Sequence, residues 1–378
     1  MGSVTITRDS TSLAESLRLY CISAKDENEK NLFDRYSRVH EKLEPILGVV
    51  EKSAYAQAVQ NWHEAGLERL EGVSSEEEKT EIYQSQWESL PMFYLNNHGS
   101  KHIETVLQRE KDLLTTTESI ELDAYELFLL LCATELHDVG NVYGREGHEK
   151  GIMPIIKKLE TELPDSIERT TILTIAMTHG GKIGDSKDTI CKLSKERMIL
   201  GHKVRVQILA AILRFADELA DDNSRASKEE LDLGIIPKES EIFHRYSEAL
   251  HTVLVERDDK EYFVKLFFEF TSDVAIKTFD FMGRQKYLLD EIYDRTLKME
   301  RERRYCMRFM RPYISVEGIR VEIMIQDVEN PFVAKPITYT LNECGYPDEP
   351  MNGSISRYIG DNQTGECIAY SFMGKEEN

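Results

Sequence analysis

The sequence predicts a mainly α-helical protein that ends in a smaller α+β part. Two observations carry this. Up to about residue 235 the apolar residues recur at the spacing of amphipathic helices, whereas from about residue 240 the period shortens to two. The alternation is clearest in His251–Phe268, where two apolar runs flank the turn Asp258-Asp259-Lys260, and again in Gly318–Gln326. These changes of period divide the chain into an N-terminal helical layer over 1–95, a core over 96–235 and a C-terminal α+β appendage over 236–378.

Composition sets the outer limits. With 378 residues the chain exceeds one ordinary core, and 41% apolar with 30% charged residues describes a soluble globular protein. No run approaches the roughly 18 apolar residues of a membrane span. Met1-Gly2-Ser3-Val4-Thr5-Ile6 lacks the basic-then-apolar pattern of a secretory signal, so the expectation is a cytoplasmic protein without a membrane partner. The six cysteines lie far apart with no Cys-x-x-Cys pair, and we read them as reduced and structural. A formal net charge of −21 disfavours long nucleic acid as a partner but leaves room for a small anionic substrate in a locally basic pocket.

In the N-terminal layer, Leu32, Phe33, Tyr36, Val39, Leu43, Ile46 and Leu47 recur at helical spacing. His40 and His63 fall in this layer and read as surface or packed histidines. Ser74 with Glu76-Glu77-Glu78 reads as an N-cap with an acidic first turn. The next helix begins near 98–100, with Ile103, Val106, Leu107 and Leu114 as its stripe. It carries His102 in its first turn, and His98 four residues earlier can share that side. Leu122–Leu136 is apolar all round and must be buried.

That buried helix delivers His137-Asp138 from inside the core. A His-Asp pair alone is metal-ligand chemistry or an accident of composition. Burial favours the metal, because an ionised carboxylate removed from water needs a partner. After Gly140 a glycine-rich loop, in which we expect the backbone to approach a ligand, leads into a helix through Leu159. A helix over Asp165–Met177 ends at Thr178-His179-Gly180-Gly181, and a helix over Lys203–Leu219 carries Arg214, Asp217 and Glu218 on an otherwise buried segment. A long helix over Arg284–Met310, a strand over Ile337–Leu341 and a turn-rich tail beyond Cys344 complete the expectation. The candidate metal ligands are therefore His102, His137, Asp138 and Asp217.

In this order, His98-Gly99-Ser100-Lys101-His102-Ile103, His137-Asp138-Val139-Gly140 and Leu213-Arg214-Phe215-Ala216-Asp217-Glu218-Leu219 resemble the HD phosphohydrolase superfamily over about residues 90–225. The resemblance implies an HD-type helical bundle in which those four ligands hold a divalent metal that hydrolyses phosphate esters or anhydrides of nucleotides. Two imidazoles and two carboxylates suit Mn, Fe, Co, Ni or Zn, with Mg as a further choice. By the same resemblance His98 takes the place of a general acid. His148 and His179 stand where two-metal members place further ligands, although the GYP signature of one such class is absent; we expect acid–base or phosphate-contacting work from them ahead of a second metal. Lys101, Arg145, Lys182 and Arg214 are the substrate-binding candidates, with Arg145 in its glycine loop first among them. Lys150 and Arg225 read equally well as surface charge.

The chain has no phosphate-binding loop, Gly-x-Ser-x-Gly elbow or His-Glu-x-x-His helix. Two hydrolases then compete, a deoxynucleoside triphosphate triphosphohydrolase first and a phosphodiesterase of cyclic or short linear nucleotides second. The resemblance extends to stand-alone bacterial HD proteins found with antiviral defence, where nucleotide depletion is the task. A third reading is a nucleotide-binding regulator that acts through assembly. In it the basic helix with Arg295, Lys298, Arg301, Arg303, Arg304, Arg308 and Arg311 is an effector or subunit surface; a solvated helix balanced by its own acids is the preferred alternative. A homo-oligomer is the family's habit and is expected here.

Overall fold

The computed structural model describes residues 3–48, 99–116, 122–143, 148–180, 186–221, 231, 236, 238–281, 283–311, 313–330, 334–342, 355–359 and 363–373. His63 and the cap read at Ser74 lie outside them. The helical part contains α1 (Leu13–Ser23), α2 over 32–48, α3 (Ser100–Leu114), α4 (Ala124–Leu136), α5 (His148–Ile156), α6 (Ser166–Met177) and α7 (Val206–Glu218). The C-terminal part contains α8 (Lys238–Ala249), β1 (Leu250–Asp258), β2 (Glu261–Thr271), α9 (Leu288–Met310), β3 (Gly318–Gln326), β4 (Ala334–Asn342) and α10 (Gly365–Phe372). The protein is thus mainly helical with a C-terminal mixed sheet, as its periodicities predict.

Helix α4 is the axis of the bundle. Every residue from Ala124 to Leu136 is buried, and α1, α3, α6 and α7 all pack on it. Such a helix has no polar face to orient it, so its ends do that work. Asp123 and Glu126 close a capping box at its start. Glu126 also accepts from the backbone N–H of Arg205 (2.8 Å) and from its guanidinium, tying the start of α7 to the start of α4. On the opposite side Arg35 of α2 forms an ion pair with Glu168 and lies 4.7 Å over the Phe128 ring, while the Tyr125 hydroxyl donates to Glu168 at 2.5 Å. The N-terminal layer is therefore clamped to the bundle by a buried polar network. Glu135 makes a second link, accepting from the Tyr36 hydroxyl at 2.8 Å and from Nδ1 of the half-exposed His40 at 2.9 Å.

The sheet has the order β4-β3-β2-β1. β1 and β2 form the expected hairpin, with Asp259 at φ 52° in its turn, a left-handed conformation that aspartate tolerates. β2 and β3 are parallel, joined by a crossover that contains α9. The alternating Ile319, Val321, Ile323 and Ile325 of β3 are all buried. Helix α9 packs against the sheet on one side and along α7 on the other, so buried apolar residues from Val4 to Ile359 form one continuous cluster. No helix among the described residues is long and apolar enough to cross a membrane.

Three boundaries differ from the sequence expectation. Residues His202–Val204 are a short strand paired with Arg197–Ile199, so α7 starts only after Arg205, where the Glu126 carboxylate takes the first backbone N–H. Arg284–Tyr287 pairs with Thr278–Phe281 as a ribbon before α9 begins. The tail contains α10, docked through Gly365, whose backbone N–H donates to Asp290 at 2.8 Å. In each case a tertiary partner outweighs local propensity. Because α4 is close-packed on all sides, Leu131→Ala is expected to lower stability by about 2–5 kcal/mol in urea unfolding, with the helical signal of the native state retained.

Candidate metal centre

The buried run of α4 ends at His137, which still has helical backbone angles (φ −58°, ψ −37°) and is fully buried. Its ring is fixed from behind. Nδ1 lies 2.7 Å from the Thr134 carbonyl, which can only accept, so Nδ1 carries the proton and Nε2 presents a lone pair. That Nε2 is buried without a hydrogen-bond partner, 3.6 Å from Asp138 Oδ2 and 3.6 Å from Asp217 Oδ1. His102, from the first turn of α3, brings its Nε2 to 3.1 Å from Asp217 Oδ1 and 3.6 Å from Asp138 Oδ2. A buried imidazole lone pair aimed between carboxylate oxygens is the donor set a divalent transition ion takes.

Asp138 faces a second group with its other oxygen. Oδ1 lies 3.4 Å from His148 Nε2 and 3.7 Å from His179 Nε2, and these two nitrogens are 3.2 Å apart. His179 is oriented as His137 is, with Nδ1 donating to the Ala176 carbonyl at 2.6 Å. Two triads result, His102–His137–Asp217 and Asp138–His148–His179, each with its donor atoms within 4.8 Å of one another. Both could hold a metal ion, and the two oxygens of Asp138 lie between them.

Electrostatics agrees with the geometry. Burial opposes charge on His137, yet Asp138 and Asp217 outweigh it and raise the imidazole to about 9, so without a cation Nε2 also carries a proton, which a metal would displace to take the lone pair. Burial acts to raise Asp217, but the hydrogen bond from His102 and the charges of His137 and His102 hold it well below the usual carboxylate range. The pocket stabilises positive charge, as a cation site must. His179, by contrast, is pushed down by burial first and by the His137 charge second, which favours its neutral, ligating form.

The structure brings six of the predicted site residues together: His102, His137, Asp138, Asp217, His148 and His179. His98, Arg145 and Lys182 lie outside the described residues, as does Arg225. Lys101 is exposed on the first turn of α3. Arg214 is buried with its guanidinium on Glu302 (2.9 and 3.0 Å), the Lys187 carbonyl and Thr189, all outside the two triads.

Sequence reading missed the roles of three supporting groups. Thr134 fixes His137 through its carbonyl and donates its hydroxyl to Glu110 at 2.6 Å. Glu110 sits on the apolar stripe of α3 between Val106 and Leu113, and an acid at such a position is a legible signal of a buried partner. Gly140 precedes the glycine-rich loop, whose residues 144–147 lie outside the described residues, and has a packing role of its own. A Cβ there would lie 1.9 Å from the His148 carbonyl oxygen, so the glycine lets the start of α5 pack against the turn after Asp138.

Residues 88–298, more than half of the chain, match the model of the HD-CE family. No curated protein and no solved structure matches it.

Two outcomes follow from this arrangement. Gly140→Ala must displace His148 while leaving His102, His137 and Asp217 in place, so metal analysis of the purified variant is expected to show about one ion per chain fewer than the parent. Burial raises Glu110 to about 8 from an ordinary 4.5. Between these values the folded chain binds more protons than the unfolded one at this position, so the group costs stability as pH rises from 4.5 to 8. The Tm of Glu110→Gln relative to the parent should therefore climb between pH 5 and pH 8, by up to about 1.4 kcal/mol per pH unit in stability.

Proposed function

The chain belongs to the HD-CE family, and from that premise we propose that it is a metal-dependent phosphohydrolase of nucleotides. The observation that carries this is the placement of Asp138 between two His/Asp triads. His102, His137, Asp138 and Asp217 would hold one divalent cation, and Asp138, His148 and His179 a second. Such a cation lowers the pKa of its water from about 16 towards 7 and neutralises charge on a phosphoryl group.

The chain's own residues supply the rest. Thr134 and Ala176 lock the tautomers of His137 and His179, so both rings present Nε2 to the centre. Asp217 stays ionised at neutral pH because of its histidine partners. Asp217 keeps 25% of its side chain exposed, against 5% or less for His102, His137 and Asp138, so the centre opens to solvent on the α7 side and a phosphate would enter there. His98 as the proton donor to the leaving oxygen, and Lys101, Arg145 and Lys182 as phosphate contacts, are assigned on resemblance.

The leading substrate is a deoxynucleoside triphosphate, cleaved to nucleoside and tripolyphosphate, with Arg145 and Lys182 taking the polyphosphate charge. The second triad supports another reading, a phosphodiesterase of cyclic or short linear nucleotides. His148 and His179 are arranged as ligands, and a pair of metals can serve the attacking and leaving oxygens of one in-line displacement. Incubating the protein with each dNTP and with cyclic dinucleotides, in Mn or Mg, separates the two: tripolyphosphate release supports the first and mononucleotide release the second. No turnover of either class under any metal contradicts the phosphohydrolase assignment. His137→Ala and Asp138→Ala are each expected to abolish metal retention and hydrolysis together, and survival of activity in either variant would overturn the site.

A further inference from the structure

Asp217 sits where a carboxylate is least welcome. It is in the last turn of α7, where the helix dipole is negative, next to Glu218 and one turn before Asp221, and α7 has no basic residue in that turn. Three acids at a helix C-terminus repel one another and the end they occupy. The compensation comes from α9. Arg295 forms an ion pair with Asp221 and lies 4.4 Å over the Tyr246 ring. Lys298 donates to Glu218 at 2.8 Å. Glu302 closes a bidentate pair with Arg214.

The two sets run in opposite order, 214, 218 and 221 against 302, 298 and 295, with steps of four and three residues. Glu302, Lys298 and Arg295 therefore share one face of α9, Arg214 and Glu218 one face of α7 with Asp221 just past its end, and the charges are complementary at every step. Arg109 of α3 adds a bond from Nε to the Leu219 carbonyl at 3.2 Å, just past the end of α7. The basic residues at 295 and 298 thus cross from α9 to the end of α7, Arg295 mostly buried and Lys298 at the solvent edge.

We infer that α9 is the positioning element of the first triad: Glu302, Lys298 and Arg295 fix the pitch and rotation of α7 at which Asp217 meets His102 and His137. The inference rests on the metal-centre reading above. It makes the C-terminal part, whose sheet seats α9, a determinant of metal affinity although it contributes none of the six candidate ligands.

The test uses the full-length protein stripped of metal and titrated with Mn, with free Mn followed by electron paramagnetic resonance and folding checked by circular dichroism. Glu302→Gln and Lys298→Met are expected to weaken Mn binding by about fivefold, short of the roughly 10–100-fold cost of removing a ligand's own outer partner, because they act through Arg214 and Glu218. Lys298→Arg keeps the charge and should stay within about twofold of the parent, as should Arg301→Gln, which alters an exposed residue of the same helix. Lys298 is 55% exposed, so its substitution tests the contact with α7 even if Glu302→Gln fails to fold. Parent-like affinity in folded Lys298→Met overturns the inference and leaves the metal centre standing. A parent protein that takes up no Mn overturns both.

Discussion

The carboxylate of Asp138 is the constraint on which the rest depends. It is buried at the end of a helix with no exposed residue, and its two oxygens face four imidazoles from α3, α4, α5 and the end of α6. A carboxylate in such a place is tolerated only with positive charge beside it. The surrounding polar groups are arranged accordingly. Main-chain carbonyls take the Nδ1 protons of His137 and His179, so both rings turn their second nitrogen inward. Glycine at 140 removes the side chain that would push His148 away.

Much of this was legible in the sequence because it rests on short-range patterns. The all-round apolar run before His137 fixed its burial. The stripe through Ile103 and Val106 placed His102 in a first helical turn, and period-two alternation located β1, β2 and β3. What was not legible is what depends on tertiary partners. The resemblance named His148 and His179 as candidate further ligands, but that they lie 3.2 Å apart at one carboxylate oxygen of Asp138 is shown only by the fold. The strand at Arg284–Tyr287 is too short and polar for its period to show, and is held by its ribbon partner. Arg214 lies within a resemblance motif, but its donors go to Glu302, a residue that no local pattern connects with it.

The charged helix α9 shows why charge content alone was ambiguous. Its basic residues read as an effector or subunit surface or, by preference, as a solvated helix balanced by its own acids. In the fold they divide by direction: Arg303 is buried on Glu300 and the Val316 carbonyl, Arg304 also bonds Glu300, and Arg295 and Lys298 cross to α7. The helix that seats the sheet also compensates the acidic end of α7. Bundle and sheet are therefore coupled electrostatically as well as by apolar packing.

The central claim is that Asp138 joins two metal positions. Crystals of the protein grown with Mn, measured for anomalous scattering at the Mn edge, test it most directly. The account predicts two anomalous peaks per chain flanking the Asp138 carboxylate, one within ligand distance of His102, His137 and Asp217 and the other of His148 and His179. Peaks elsewhere, or none at Asp138 at saturating Mn, would contradict it.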